Sequence, residues 1–354
     1  MNNPTSVTVL LAGMAAGCTP QGAYIETVAG IGGVLTAGSD GLPARETGLY
    51  MPTAVTFSPE GRLVIDDFNN FRIRELQPDD TLKTIVGIGA HGVAEGPAAA
   101  TPLENPIDLA WTPDGDLVIA ELHTGRILQV DGGEIRVLAG GVGYGLGHAG
   151  DGGPGTAGLL GQVRGVATDS DGTVYISDTD NHCIRIVSPD GTLTHLAGGA
   201  EPASGYVDGE ALDARFFLPE RVRRLGRSLW VADTQNNAIR KINLDDGSVQ
   251  TVAGTGVAGF DGDGGPATDA LLAQPTSMLP EADGGLWIAD SQNHRLRYVD
   301  PGGTIRTVAG TGVDEFSGDE GPPAEASFSF PADVARGPDG DLYIADLLNG
   351  AVRR

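Results

Sequence analysis

One block of residues recurs six times along this chain, and a recurrence of that kind limits the fold before any local pattern does. Each copy is an apolar strand ending in an acidic residue, two variable residues, an Asn and a second apolar strand. The first copy reads Val64-Ile65-Asp66-Asp67-Phe68-Asn69-Asn70, and later ones occupy residues 175–181, 230–236, 287–293 and 343–349. A weaker copy is Val118-Ile119-Ala120-Glu121-Leu122-His123-Thr124. The acidic positions are Asp67, Glu121, Asp178, Asp233, Asp290 and Asp346, separated in turn by 54 to 57 residues.

Four short strands fit into each copy. The first follows a Pro in five blades and starts at Val163 in the third. A Pro-Asp-Gly type of turn leads to the second, as in Pro113-Asp114-Gly115, and the Asp-x-x-Asn turn leads to the third. The fourth ends in a Val-Ala-Gly signature such as Val252-Ala253-Gly254. Short apolar runs separated by turn residues are hairpins, and four antiparallel strands per repeat make one blade of a propeller. The expected fold is therefore an all-β, six-bladed β-propeller of four-stranded antiparallel blades. The sixth copy runs out after its third strand, while residues 24–29 precede the first copy. That N-terminal segment is expected to supply the missing strand and close the ring, leaving no unpaired inner edge.

The blocks from Asp178 to Arg185 and from Asp290 to Arg297, with the glycine-rich loop 254–267, resemble the repeats of bacterial NHL-repeat proteins. The resemblance covers residues 23–354. It implies the six-bladed fold and leaves the function open, because members of that family range from protein-binding and RNA-binding modules to lyases, and function resides in sites rather than folds.

Charge narrows the partners. The chain has 22 basic and 47 acidic residues, a formal net charge of −25. Nucleic acid needs Lys and Arg to replace its counterions, so no nucleic-acid partner is expected, and an anionic membrane surface is disfavoured for the same reason. No later run of residues is long and apolar enough to span a membrane. Two cysteines, Cys18 and Cys183, cannot alone build a disulfide framework or a zinc site. Residues 7–16 are apolar and small, and Ala15-Ala16-Gly17-Cys18 resembles a lipoprotein cleavage site, although no Lys or Arg precedes the stretch. Residues 1–22 thus read as a signal or lipoprotein segment or as a ragged N-terminus, and a secreted or cell-envelope location is expected.

Four sets of residues could carry chemistry. Asp67, Glu121, Asp178, Asp233, Asp290 and Asp346 are read as structural, their side chains capping the tight turn through backbone N–H groups. Arg74, Arg185, Arg240, Arg297 and Arg353 follow seven residues later, while blade two has Glu121, Thr124 and Leu128 at the three places, a joint loss that suggests one hydrogen-bonded unit. A second series, Asp40, Glu95, Asp151, Asp208, Asp263 and Asp319, lies in the loops between blades. Calcium would suit such oxygen-rich loops, but Asp261-Gly262-Asp263-Gly264 lacks a later bidentate Glu, so turn chemistry is the reading and no cofactor is expected. The histidines in the turns, His123, His182 and His294, sit on separate blades, and no shared metal is expected.

The fourth set lies on the strand nearest the axis. Asp108, Arg221, Arg223 and Asp333 stand where related repeats carry small residues, on blades two, four and six. They are the candidate ligand-binding residues, at the channel mouth. Either the two Asp neutralise the two Arg internally, with separations under about 4 Å, or the Arg pair forms a basic spot for a carboxylate or sulfate. No nucleophile–base–orienter set can be read, so no catalytic residue is assigned. The chain reads as a monomeric, non-enzymatic binding or scaffold propeller that recognises a protein or glycan through its loop-rich face. The alternative is a lyase or hydrolase using the axial channel.

Overall fold

A computed structural model of the protein describes residues 23–354 except 142, 144, 200 and 201. The segment 1–22, with Cys18, lies outside the described residues. The described chain forms six separate antiparallel sheets, four of four strands and two of five, and its only helical pieces are single 3-10 turns. Blade one comprises Pro52–Phe57, Leu63–Asp67, Arg72–Leu76 and Leu82–Val86, numbered outward from the axis. The first strands of blades two to six are Pro106–Trp111, Val163–Thr168, Pro219–Leu225, Ser277–Pro280 and Pro331–Arg336. The extra strands, Gly96–Pro97 and Gly209–Glu210, come from loops and pair with the outer strands of blades two and four.

In the sixth sheet the strand Thr27–Gly30 lies outermost, antiparallel to Ala351–Arg353. Backbone hydrogen bonds between Glu26 and Arg354 run in both directions, at 3.0 and 2.8 Å. The two ends of the described chain therefore share one blade.

The core lies between blades rather than within them. Successive strand residues face opposite sides of a sheet, so each blade buries one set against the blade before it and one against the blade after. Val118, Ala120 and Ile127 of blade two pack with Val166, Val174 and Ile176 of blade three. Ala29, Ala345 and Val352 of blade six pack with Val55, Leu63 and Ile65 of blade one. No blade could bury both faces alone, which is why a repeat of this kind must form a ring.

The turn after each acidic residue ends in a left-handed residue, and the sequence compensates for the strain. Non-glycine residues avoid that region at a cost of about 1–2 kcal/mol. His182 (φ 57°), Asn237 (φ 48°) and His294 (φ 52°) occupy it nonetheless. Each side chain then accepts a backbone N–H from the next blade, that of Leu218, Gln274 and Phe330 at 3.2, 3.0 and 3.1 Å. His182 and His294 are thus ties between blades.

Candidate functional site: the axis and the loop-bearing face

The acidic turn residues organise the loop-bearing face. Asp67, Asp178, Asp233, Asp290 and Asp346 are fully buried. Each accepts the Asn three residues on, as Asp290 accepts Asn293 at 2.8 Å. The sequence reading places the accepted backbone N–H in the turn itself, and the structure corrects this. That N–H belongs to the incoming loop, from Tyr50, Gly161, Phe217, Ala273 and Ser329, at 2.7–2.8 Å. The carboxylate therefore pins the end of the blade-connecting loop beside the first strand.

The arginine seven residues later joins two carboxylates. Arg297, fully buried, lies 3.1 Å from Asp290 and 2.7 Å from the loop residue Asp263. Arg185 pairs in the same way with Asp178 and Asp151, at 3.3 and 2.7 Å. Arg74, Arg240 and Arg353 repeat the arrangement with Asp40, Asp208 and Asp319. The sequence pattern reads the loop carboxylates as plain turn chemistry; in these five blades they are instead the second anion on a buried guanidinium. Aromatic side chains cover several of these cations, Tyr206 over Arg240 and Phe260 over Arg297 among them, with ring centroids at 5.2 and 4.9 Å, which favours a charge with little water around it.

Blade two has not lost the unit but rewired it. Glu121 is buried and accepts Nε and Nη2 of Arg126 at 2.8 and 2.5 Å, with the Thr124 hydroxyl at 3.1 Å. The cation has moved from the seventh place, Leu128, to the fifth. Glu95 still accepts a fourth-strand N–H, that of Val137 at 2.7 Å, as Asp40 accepts that of Thr84 at 2.9 Å in blade one.

Burial pushes Asp178, Asp233 and Asp290 up to about 6 and Asp346 up to about 7, against the pull of the Asn, backbone and Arg donors. The unfolded chain releases these protons near pH 4. Folding therefore takes up protons between pH 4 and 7, and stability falls as pH rises through that window. We expect a higher melting temperature at pH 5.5 than at pH 8. Glu26, Asp40 and Asp169, held below their usual range as their hydrogen-bond and Arg partners outweigh burial, lose their contribution only as pH falls below about 4. Calorimetric scans across pH 4–8 check this, and a melting temperature rising steadily to pH 8 would contradict it.

The four charged residues of the inner strands meet at the axis. Arg223 reaches Asp108 at 3.0 Å and Asp333 at 2.8 Å. Arg221 Nε sits 3.4 Å from Asp108 and 4.0 Å from Asp333. Its Nη2 crosses the ring to donate to Thr53 O on blade one at 2.6 Å, and Nη1 donates to Arg164 O at 2.7 Å. The two carboxylates also accept backbone N–H groups of the neighbouring blades, Val166 at 2.9 Å and Val55 at 3.1 Å. Burial alone would push Arg223 down, but Asp108 and Asp333 outweigh it and hold the guanidinium above its usual value. Blade four is therefore braced against blades one, two, three and six across the axis.

A cavity of about 380 Å³ opens beside this brace, and Val55, Leu109, Val166, Leu279, Val334 and Arg223 bring all six inner strands to its wall. Among the described residues its lining holds no histidine, cysteine or carboxylate. Sequence reasoning missed Asp66, which is fully buried, accepts the Thr53 hydroxyl at 2.7 Å and is pushed well up by burial. The available signal was the Asp66-Asp67 pair, since Ala120, Ser177, Ala232, Ala289 and Ala345 occupy that place in other blades. It also missed that His91 and His123 both lie against the buried Glu104, at 2.5 and 3.3 Å.

Among the described residues no helix is long and apolar enough to cross a membrane. The NHL repeat family matches residues 160–187, the inner three strands of blade three. The chain is 32% identical over 203 residues to NHL repeat-containing protein 2 of Bos taurus, an alignment covering 51% of this chain and 28% of that protein. The chain thus spans well under a third of that relative. An auxiliary nutrient binding protein of Bacteroides thetaiotaomicron superimposes with a TM-score of 0.66 at 14% identity, covering 93% of this chain and 75% of its own. A streptogramin B lyase superimposes with a TM-score of 0.53 at 13% identity, covering 93% and 96%. At such identities these structures share a fold with this chain and nothing finer. With the family match lying on the Asp-x-x-Asn hairpin of blade three and six blades arranged around one axis, the chain carries an NHL repeat and folds as a six-bladed β-propeller.

Proposed function

We propose that this propeller is a non-enzymatic recognition module of the secreted or cell-envelope compartment, binding a protein or glycan through its blade-connecting loops. The observation that carries this is where the exposed apolar side chains lie. Among the described residues, thirteen of the fifteen large apolar side chains that are exposed belong to those loops and a fourteenth, Leu348, to an Asp-x-x-Asn turn, with Leu42 and Leu212 set apart where the loop runs beside the start of an outer strand. Tyr50, Ile88, Leu146, Tyr206, Phe260 and Val313 supply one from each of the six loops. Scattered apolar residues mean little, whereas their confinement to one set of loops marks a contact surface, and aromatic side chains there give rigid contact area. The likeness of fold to a nutrient-binding protein is compatible with the reading.

The axis supports it from the other side. Charges that would have to meet a substrate are already paired with one another, and among the described residues the cavity wall carries no imidazole, thiol or carboxylate that could activate its two hydroxyls, those of Thr56 and Thr168. The test compares two variants of the full chain on a glycan array and on a panel of purified envelope proteins. Tyr206→Ser/Phe260→Ser/Val313→Ser should abolish the signal seen with the wild type. Ala110→Trp, which fills the axial cavity, should leave it intact. The reverse pattern would place the ligand in the cavity and favour the lyase or hydrolase reading.

A further inference from the structure

Blade three departs from the repeat at three places, and the three departures meet. Cys183, on the third strand, stands where the other blades have Arg72, Arg126, Ala238, Arg295 and Ala351. His195, on the fourth strand and paired in register with Arg185, stands where Thr84, Val137, Thr251, Thr307 and Thr27 stand. His148 lies three residues before the loop carboxylate Asp151, a place held elsewhere by Ala37, Gly92, Gly205, Phe260 and Phe316. No other blade has a His or Cys at any of the three.

The ligand atoms of His148, Cys183 and His195 all lie within 4.8 Å of one another, and Cys183 Sγ is 3.9 Å from His148 Nε2. A tetrahedral ion bound at about 2.3 Å to sulfur and about 2.0–2.1 Å to nitrogen sets S···N near about 3.6 Å and N···N near about 3.3 Å. The cluster reaches that geometry by drawing in on the order of 1 Å, chiefly through His148, which sits on a loop between Gly147 and Gly150.

The state of His195 supplies an independent pointer. Its Nε2 lies 2.9 Å from Gly198 O, and a carbonyl only accepts, so neutral imidazole keeps its proton on Nε2. Nδ1 then carries a lone pair, and that atom is buried with no hydrogen-bond partner. A ring fixed by a carbonyl at one nitrogen, with the other free to donate, is the usual arrangement of a metal-binding histidine. The surrounding charge is tolerant, since Arg185 nearby is flanked by Asp151 and Asp178.

We propose that His148, Cys183 and His195 form a binding site for a zinc-class transition metal ion, with two nitrogens, one thiolate and a fourth position open to water. Binding displaces the thiol proton, and the ion fastens the loop preceding blade three to its two outer strands. Mixed nitrogen and sulfur donors select such ions over calcium or magnesium.

The test uses the full chain stripped with a chelator, titrated with Zn²⁺ by calorimetry and with Co²⁺ by absorption. One ion per chain and a thiolate-to-cobalt charge-transfer band are expected. Cys183→Ala should abolish the band, and His195→Thr or His148→Gly should weaken affinity at least about 10-fold. Each variant restores a residue that other blades carry at that place, and its melting temperature without metal reports folding. Binding without the charge-transfer band, or affinity unchanged in Cys183→Ala and His195→Thr, would assign the ion to surface carboxylates and overturn the proposal. Absence of one-to-one binding would overturn it as well.

Discussion

Replacing Arg223 by Leu is expected to destabilise the fold by about 3–5 kcal/mol, the range for removing one member of a buried ion pair. Its two partners, Asp108 and Asp333, are fully buried, so neither can turn to water when the guanidinium is gone. Arg221 does not replace it. Its Nε is 3.4 and 4.0 Å from those carboxylates, and its other nitrogens are engaged with Thr53 and Arg164. For a domain of this size unfolding entropy is roughly 0.7 kcal/mol per degree, so melting should fall by roughly 4–7 °C. Asp108→Asn/Arg223→Leu/Asp333→Asn should recover part of that loss, since most of the penalty is unpaired charge rather than missing attraction. A loss under about 1 kcal/mol for Arg223→Leu would mean that the axial charges are solvated channel polars and not a brace.

Deleting residues 1–30 should have a larger effect still, because it removes a strand and not one side chain. Ala351–Arg353 would become an edge with unpaired backbone groups, and exposed edges recruit other chains. The deletion also takes away Ile25 and Ala29 from the core, the Glu26–Arg354 ion pair, and the Thr27 hydroxyl that donates to Asp319 at 2.8 Å. We expect dimers or larger species in light scattering and a lowered melting temperature. A truncated chain that stays monomeric and melts like the full one would show that this strand does not hold the ring shut.

How much of this was legible in the sequence depends on whether a residue acts through its position in the repeat or through the path of a loop. The turn imposes Asp, Asn and a left-handed residue at fixed spacing, so blades and strand order can be read directly. Comparing equivalent places on the first strands singled out Asp108, Arg221, Arg223 and Asp333, and these four do meet. The loop carboxylates could be found but not understood, because the route that carries Asp263 to Arg297 is set by packing across 34 residues. Asp66 was hidden because it was read as part of a strand rather than against its five equivalents. His148, Cys183 and His195 were hidden for both reasons. Two sit on neighbouring strands and the third arrives on a loop whose course no periodicity predicts.

The rewired turn of blade two bears on how such a ring can change over time or by design. In the other five blades the positive group leaves from the seventh place, and in blade two it leaves from the fifth, yet each meets the same kind of buried acid. Blades one and five already hold a guanidinium at both places, Arg72 with Arg74 and Arg295 with Arg297, and there the fifth-place side chain turns outward to a carbonyl oxygen, Ile88 O or Thr311 O. A chain with both arginines is therefore a passable step between the two layouts, whereas a chain with neither leaves a buried acid unpaired. Blades that look interchangeable are joined in sequence space by the one route that adds the second arginine before withdrawing the first.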